Sequence, residues 1–325
     1  METKIHRIAV LGSASGDYFF LVERMPQVGE TLDAHGFEKA LGGKGANQAV
    51  TVGKLGAPVE MLAQLGQDDT GRKYMDFFRD YNVGTSHVKL LEGKDTGQAY
   101  ILSLKDGNNS IIIVGGTNSE YDPKMTELDP TWADAIRNSK ILLLQREIPE
   151  FVNIMAAKIA KEAGTMVILD VGGRDEPLSK ELIQYIDIIS PNETELERVI
   201  HKKGLETEED IQREVDIFIR TNPHIKVLLK RGEHGSSIFY LQAGQITHLS
   251  KPAYSFADHP DLRLVDTTGA GDCFTGAFAV KMLEGSDYES ALEFSNKVGF
   301  LCITKFGAGP AIPERADVER VFGKQ

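Results

Sequence analysis

The chain predicts an α/β fold, a doubly wound, mainly parallel sheet flanked by helices. Two observations carry that prediction. Short continuous apolar runs, of the kind buried on both faces of a parallel sheet, recur along the 325 residues. Helical segments with an apolar face, each bounded by glycine, lie between them. A third observation concerns organisation: no tract rich in Pro, Gly or Ser divides the chain and no repeat of 20 to 50 residues recurs, so residues 1–325 read as one domain.

Taken in order, Ile8-Ala9-Val10-Leu11 is the first strand. Leu41-Gly42-Gly43-Lys44-Gly45-Ala46-Asn47-Gln48-Ala49 leads from a glycine turn into a helix with Val50 and Leu55 on its face and Gly56 as its stop. Lys140 to Leu144 and Met166 to Leu169 are strands. Between them Phe151, Ile154, Met155, Lys158 and Ile159 mark one face of a helix that Gly164 ends. Ile186 to Ile189 and Val227 to Leu229 continue the series. Near Ala270 another helix starts, carrying Phe274, Phe278, Val280 and Met282. Two segments break this rhythm. Thr31 to Ala40 and Gly97 to Val114 read as antiparallel strands, the second a hairpin turning at Lys105-Asp106-Gly107-Asn108-Asn109.

Composition narrows the function. A net charge of -12 and a pI near 5.2 exclude a binder of nucleic acid or anionic membranes, which need basic patches. Cys273 and Cys302 are the only cysteines, too few for a disulfide framework or a zinc cluster, and they read as packed thiols. The start Met1-Glu2-Thr3-Lys4-Ile5-His6-Arg7 lacks an apolar signal stretch, and no run reaches transmembrane length, so a cytoplasmic location is the expectation. The eight histidines show no metal-ligand spacing, and His234 reads as a turn residue.

Two glycine motifs carry the chemistry. Asp266-Thr267-Thr268-Gly269-Ala270-Gly271-Asp272 places a carboxylate at the exit of a small-residue turn that opens a helix. The amides of Gly269, Ala270 and Gly271 would attract phosphate oxygens, and Asp272 stands where it could take a proton from an attacking hydroxyl. An ordinary first-turn acid would also suit the helix dipole, so the motif alone leaves both roles open. The turn at Gly42 is not a Walker A loop, because Gly45 follows Lys44 where Ser or Thr would be needed. It offers instead a backbone that hugs a small polar ligand, with Lys44 and Asn47 as hydroxyl partners. Gly12-Ser13-Ala14-Ser15-Gly16-Asp17 does not make the dinucleotide pattern GxGxxG.

Together these motifs resemble the ribokinase branch of the PfkB sugar kinases, and the resemblance covers nearly the whole chain. Gly107 to Gly116, Leu144-Gln145-Arg146-Glu147-Ile148-Pro149 and Ser190-Pro191-Asn192-Glu193-Thr194-Glu195 fall in the expected order. With Ile168-Leu169-Asp170-Val171-Gly172-Gly173, several look similar to plant members. The resemblance implies a small β-sheet lid from strands inserted at about 15–42 and 97–116; from the residues alone these strands could equally be an extra edge of the main sheet. It implies that Ser15, Asp17, Gly43, Lys44, Asn47, Glu147 and Asp272 hold the sugar. Asn192, Glu195, Lys230, Gly232, Gly235, Gly271 and Asn296 would border ATP and its Mg2+. Asp266, with main-chain carbonyls of Thr268, Cys302, Lys305 and Gly307, would hold a monovalent cation, K+. Asn192 and Glu195 would also serve as a helix cap and its acid, and Glu147 could be a first-turn acid beside Pro149.

The implied reaction is transfer of a phosphoryl group from MgATP to the 5-hydroxyl of D-ribose, with Asp272 as base and a homodimer formed through the lids. 2-Deoxyribose, fructose or a nucleoside are alternative acceptors, and a catalytically silent sensor is the alternative outside enzymes. Three positions depart from the family pattern: Ser15 stands where Asn is usual, Lys230 where Thr is common and Ala311 where many members carry Ser.

Overall fold

The computed structural model describes residues 5–104, 109–205 and 207–323. Of the expected turn at Lys105 to Asn109, all but Asn109 lies outside the described residues, as do the first four residues. The strands are β1 (Ile8–Leu11), β2 (Ser15–Val22), β3 (Gly36–Gly42), β4 (Val59–Gly66), β5 (Val83–Leu91), β6 (Gly97–Leu104), β7 (Asn109–Val114), β8 (Ile141–Leu144), β9 (Met166–Asp170), β10 (Ile188–Ser190), β11 (Lys226–Lys230), β12 (Ser236–Gln242) and β13 (Gln245–Lys251). Nine of them form one sheet in the order β13-β12-β11-β10-β9-β8-β1-β4-β5. Every pairing from β11 to β5 is parallel; β12 alone runs against them, and β13, antiparallel to β12, returns to their direction.

The continuous apolar runs are buried on both faces because the period of two sends alternate residues into separate cores. Ile8, Val10, Ile141 and Leu143 join one core, under helices Lys44–Lys54, Ala270–Leu283 and Tyr288–Cys302. Ala9, Leu11, Leu142 and Leu144 join the other, under Pro130–Arg137, Glu150–Ala163 and Glu208–Thr221. The expected fold class is therefore the one observed. The chain leaves β1 for β4 on one side and later returns to β8 on the other. Strand order reverses between β1 and β8, and the crevice at their carboxyl ends is the place where such sheets bind ligands.

The two segments outside the rhythm form a separate four-stranded sheet, β3-β2-β6-β7, and not an extra edge of the main one. β2–β3 and β6–β7 are antiparallel, while the central β2–β6 pair is parallel. The strand expected at Thr31 begins only at Gly36, after a polar stretch with Asp33 and His35 that lacks strand-forming residues. Only Gly12 to Ala14 separate β1 from β2, and β3 runs directly into Gly43 and the helix Lys44–Lys54. The small sheet is thus rooted in the crevice.

One expected helix face is corrected. In Glu150–Ala163 the fully covered residues are Val152, Asn153, Ala156, Ala157 and Ala160; Phe151, Ile154, Met155 and Ile159 are half-covered and Lys158 is exposed. Alanines let the helix approach the sheet, and the larger side chains reach round its flanks. The expected strand Ile186 to Ile189 lies two residues later, at β10, because Asp187 accepts from the Val167 amide at 2.8 Å at the strand entry.

Candidate active site

Glycine fixes how the first helix meets the sheet. Gly43 has φ of +87°, and a Cβ on Gly45 would come within 2.6 Å of the Ser13 amide nitrogen, so the start of Lys44–Lys54 lies directly on the turn after β1. Across the switch point, Glu147 Oε2 accepts from the Ser13 hydroxyl at 2.5 Å and from the Lys44 amide at 2.9 Å. Glu147 precedes its helix, whose N-cap is Pro149 and whose first-turn acid is Glu150, so it is not the first-turn acid it could have been. Tyr74, fully buried, places its hydroxyl 2.9 Å from the Ser15 carbonyl and against the Gly42 carbonyl, and accepts from the Ser15 amide at 3.2 Å. It ties the roots of β2 and β3 together.

These elements enclose a cavity of ≈ 810 Å³ between the small sheet and the carboxyl ends of the main strands. All seven candidate sugar residues, Ser15, Asp17, Gly43, Lys44, Asn47, Glu147 and Asp272, line it, joined by Arg174, Gly269 and Phe306. Ser15 Oγ is turned onto Asp17 Oδ1 at 3.1 Å. Burial raises the Asp17 carboxyl to about 7; the Ser15 hydroxyl opposes this and the charges of Glu147 and Asp272 add to it.

Asp272 sits in the first turn of Ala270–Leu283, 4% exposed, with Oδ2 accepting from Asn47 Nδ2 at 2.9 Å. Its Oδ1 is buried without a hydrogen-bond partner, and Lys44 Nζ stands 3.6 Å from it. Burial raises this carboxyl to about 6, against the pull of the Lys44 ammonium and with the push of Asp170. The helix begins at Ala270 as expected, after Gly269 at φ +78°. The Ala270 amide differs from expectation: in this tight turn it donates to the Thr267 carbonyl at 3.3 Å and is not free for an anion.

The candidate nucleotide residues lie beyond the cavity lining, except that Gly271 adjoins it. Asn192 caps helix Glu193–Ile200, and Glu195 Oε2 returns the bond to the Asn192 amide at 2.8 Å, a complete capping box on an exposed edge. Glu195 also approaches Lys44 across Gly172, where a Cβ would meet both side chains within 2.8 Å. Gly232 and Gly235, at φ +49° and +87°, bracket a one-turn helix ending at His234, which is a turn residue as expected. Asn296 Nδ2 donates to the carbonyls of Lys251 and Pro252, and a Cβ on Gly235 would strike the same backbone, so both converge on one strand exit. Lys230, expected to offer its charge to phosphate, places Nζ 2.7 Å from Asp170 Oδ2.

The candidate cation residues also converge. Asp266 Oδ1 accepts from the Thr268 amide and hydroxyl at 2.9 and 2.7 Å, and Oδ2 from the Gly307 amide at 2.9 Å. The Thr268 carbonyl faces Cys302 Sγ at 3.8 Å, and the Cys302 carbonyl accepts from the Lys305 amide at 3.4 Å. Both oxygens of the Asp266 carboxylate and the carbonyls of Thr268 and Cys302 thus already accept from protein donors. Ala311 is buried, and Cys273 and Cys302 are free, buried thiols.

Asp170 is the residue that motif reading passed over. It ends β9 with no exposure, and its partners are Lys230, Lys44 at 3.7 Å, the Thr275 hydroxyl at 3.1 Å and the Gly172 amide at 3.0 Å. An acid directly after the run Met166 to Leu169 was the available signal, since a buried carboxylate demands cationic partners.

A model of the pfkB family carbohydrate kinases matches residues 5–315. The ribokinase of Arabidopsis thaliana is 41% identical over 319 residues, covering 97% of this chain and 80% of the relative. That of Haemophilus influenzae is 33% identical over 95% of this chain and 96% of its own. Among solved structures, Arabidopsis thaliana ribokinase complexed with ribose and ATP has a TM-score of 0.88 at 39% identity, covering 98% of this chain and 99% of the other.

Proposed function

The chain belongs to the pfkB family of carbohydrate kinases, and from that premise we propose that it is an ATP-dependent ribokinase, which phosphorylates D-ribose at the 5-hydroxyl to give D-ribose 5-phosphate and ADP. The observation that carries this reading is Asp272: a buried carboxylate with one oxygen lacking a hydrogen-bond partner, opening a helix beside a cavity lined by Asp17, Asn47 and Glu147. It is supported by the likeness to a ribokinase structure complexed with ribose and ATP.

In this reading Asp17 of β2, Gly43, Lys44 and Asn47 at the start of their helix, and Glu147 after β8 fix the sugar hydroxyls, and Ser15 acts on the sugar through Asp17. Asp272 takes the proton of the 5-hydroxyl as its oxygen bonds to the γ-phosphorus of MgATP and the bond to ADP breaks. The amides of Gly269 and Gly271 face the charge on the phosphoryl group, with Ala270 shaping their turn. Asn192, Glu195, Lys230, Gly232, Gly235 and Asn296 border the nucleotide, which enters with Mg2+ as its counter-ion. Asp266, Thr268, Cys302, Lys305 and Gly307 hold a potassium ion that stiffens the same turn when bound. Residues 1–325 form one domain in which the small sheet is the lid, and the exposed strand β7 pairs two lids in a homodimer. Two free thiols agree with a reducing, cytoplasmic compartment; no helix among the described residues is long and apolar enough to cross a membrane.

The test is ADP release over D-ribose, 2-deoxyribose, fructose and a nucleoside, each in potassium and in sodium at constant ionic strength. Ribose in potassium is expected to have the highest kcat/KM. A better rate with another acceptor overturns the sugar assignment, equal rates in both salts overturn the cation, and no ADP release with any acceptor overturns the kinase.

A further inference from the structure

Lys230, Asp170, Lys44 and Asp272 form a continuous line of alternating charge across the sheet, with separations of 2.7, 3.7 and 3.6 Å. Each comes from a different element: β11, β9, the helix Lys44–Lys54 and the helix Ala270–Leu283. Asp170 is the fully buried centre. Thr275, one turn beyond Asp272 on the same helix, donates to it, and the Gly172 amide fixes its other oxygen. Lys44 faces several competing carboxylates, since Asp272, Glu147 and Glu195 all attract its ammonium. Lys230 Nζ lies 3.6 Å from where a Cβ on Gly271 would stand, beside the anion turn.

We propose that Asp170 is a positioning residue for phosphoryl transfer: it holds Lys230 beside the Gly271 turn and shares Lys44 with Asp272 at nearly equal distances, 3.7 and 3.6 Å, so that Lys44 does not close into a tight ion pair with the base. This rests on the kinase reading above. Two ammonium groups this close repel each other, and the shared carboxylate neutralises one of them. Without it Lys44 would collapse onto Asp272, giving a better ion pair and a weaker base. The groups that face Asp272 are Lys44, Asp170, Glu147 from the turn after β8, Asp17 from β2 and, through Asp170, Lys230. Loss of the Asp170 charge therefore lowers the Asp272 pKa.

The experiment compares the parent, Asp170→Asn and Asp170→Asn/Lys230→Met for Tm, for kcat against pH with ribose and ATP, and for the Asp272 carboxyl titration by 13C NMR in the ligand-free protein. Asp170→Asn is expected to melt lower, because it leaves the half-buried Lys230 ammonium without its carboxylate partner. The double variant removes that charge and recovers Tm, which keeps the comparison valid if the single variant folds poorly. In the double variant kcat stays down by about 10²-fold, the scale of a small misplacement remote from the chemistry. Its acidic limb and the Asp272 NMR titration both move to lower pH. A double variant with parental kcat, acidic limb and NMR titration would show that Asp170 serves folding alone. The NMR titration decides the point even if the parent releases no ADP, an outcome that would sink the kinase reading separately.

Discussion

Asp17 and Asp272 are two buried acids in one cavity, and burial raises both, to about 7 and about 6. Asp272 must be ionised to accept a proton, so turnover should fall as pH drops through about 6. Asp272→Asn should keep ribose and ATP binding near the parental level by calorimetry while kcat falls by about 10²- to 10⁴-fold; near-normal kcat would reduce Asp272 to a helix-dipole partner. Asp17 makes a different prediction, about stability. Its folded pKa lies above the ordinary carboxylate value of 3.8, so its favourable contribution is complete below that value and is lost as pH rises through about 7. Asp17→Asn should therefore melt at higher temperature than the parent at pH 8, with the gain vanishing towards pH 4, while losing affinity for ribose. A gain in Tm that is independent of pH would contradict the assigned cause.

Among elements, the roots of the small sheet depend on one phenol. Tyr74→Phe leaves the Ser15 amide and the Gly42 carbonyl without that partner, a cost of about 1–3 kcal/mol if they stay buried. Its Tm should fall, and hydrogen exchange at Ser15 and Gly42 should rise well before the core strands; unchanged exchange there would mean that Tyr74 does not tie the sheet. This device was invisible in the sequence, because Tyr74 lies about 60 residues from Ser15 in an unremarked helix. Continuous runs such as Ile141 to Leu144 were legible, since full burial on both faces needs no alternation. β5, with Ser86, His87 and Lys89, was not, because an edge strand tolerates polar residues that erase the pattern. The same logic divides the site. Glycine turns at Gly43 and Gly269 declared themselves by composition, whereas Asp170 and Tyr74 act through long-range contacts that one sequence does not display.

At the scale of the molecule, the main sheet ends in half-covered strands, but β7 is open: Ile111, Ile112, Ile113 and Val114 are 54%, 62%, 66% and 48% exposed. A second copy of this chain would cover them. Ile113→Lys, at the most exposed of the four, should convert a dimer to a monomer in sedimentation velocity without changing the circular dichroism; a dimer of unchanged affinity would place the interface elsewhere. The same strand also bears on colloidal behaviour. Four successive aliphatic residues without a charge, on an edge with free backbone groups, are a template for further strands. The net charge of -12 keeps chains apart at low ionic strength, and salt screens that repulsion. A chain with β7 uncovered is therefore most exposed to misassembly at that strand, and a pairing that covered it would act as the chain's own protection against precipitation.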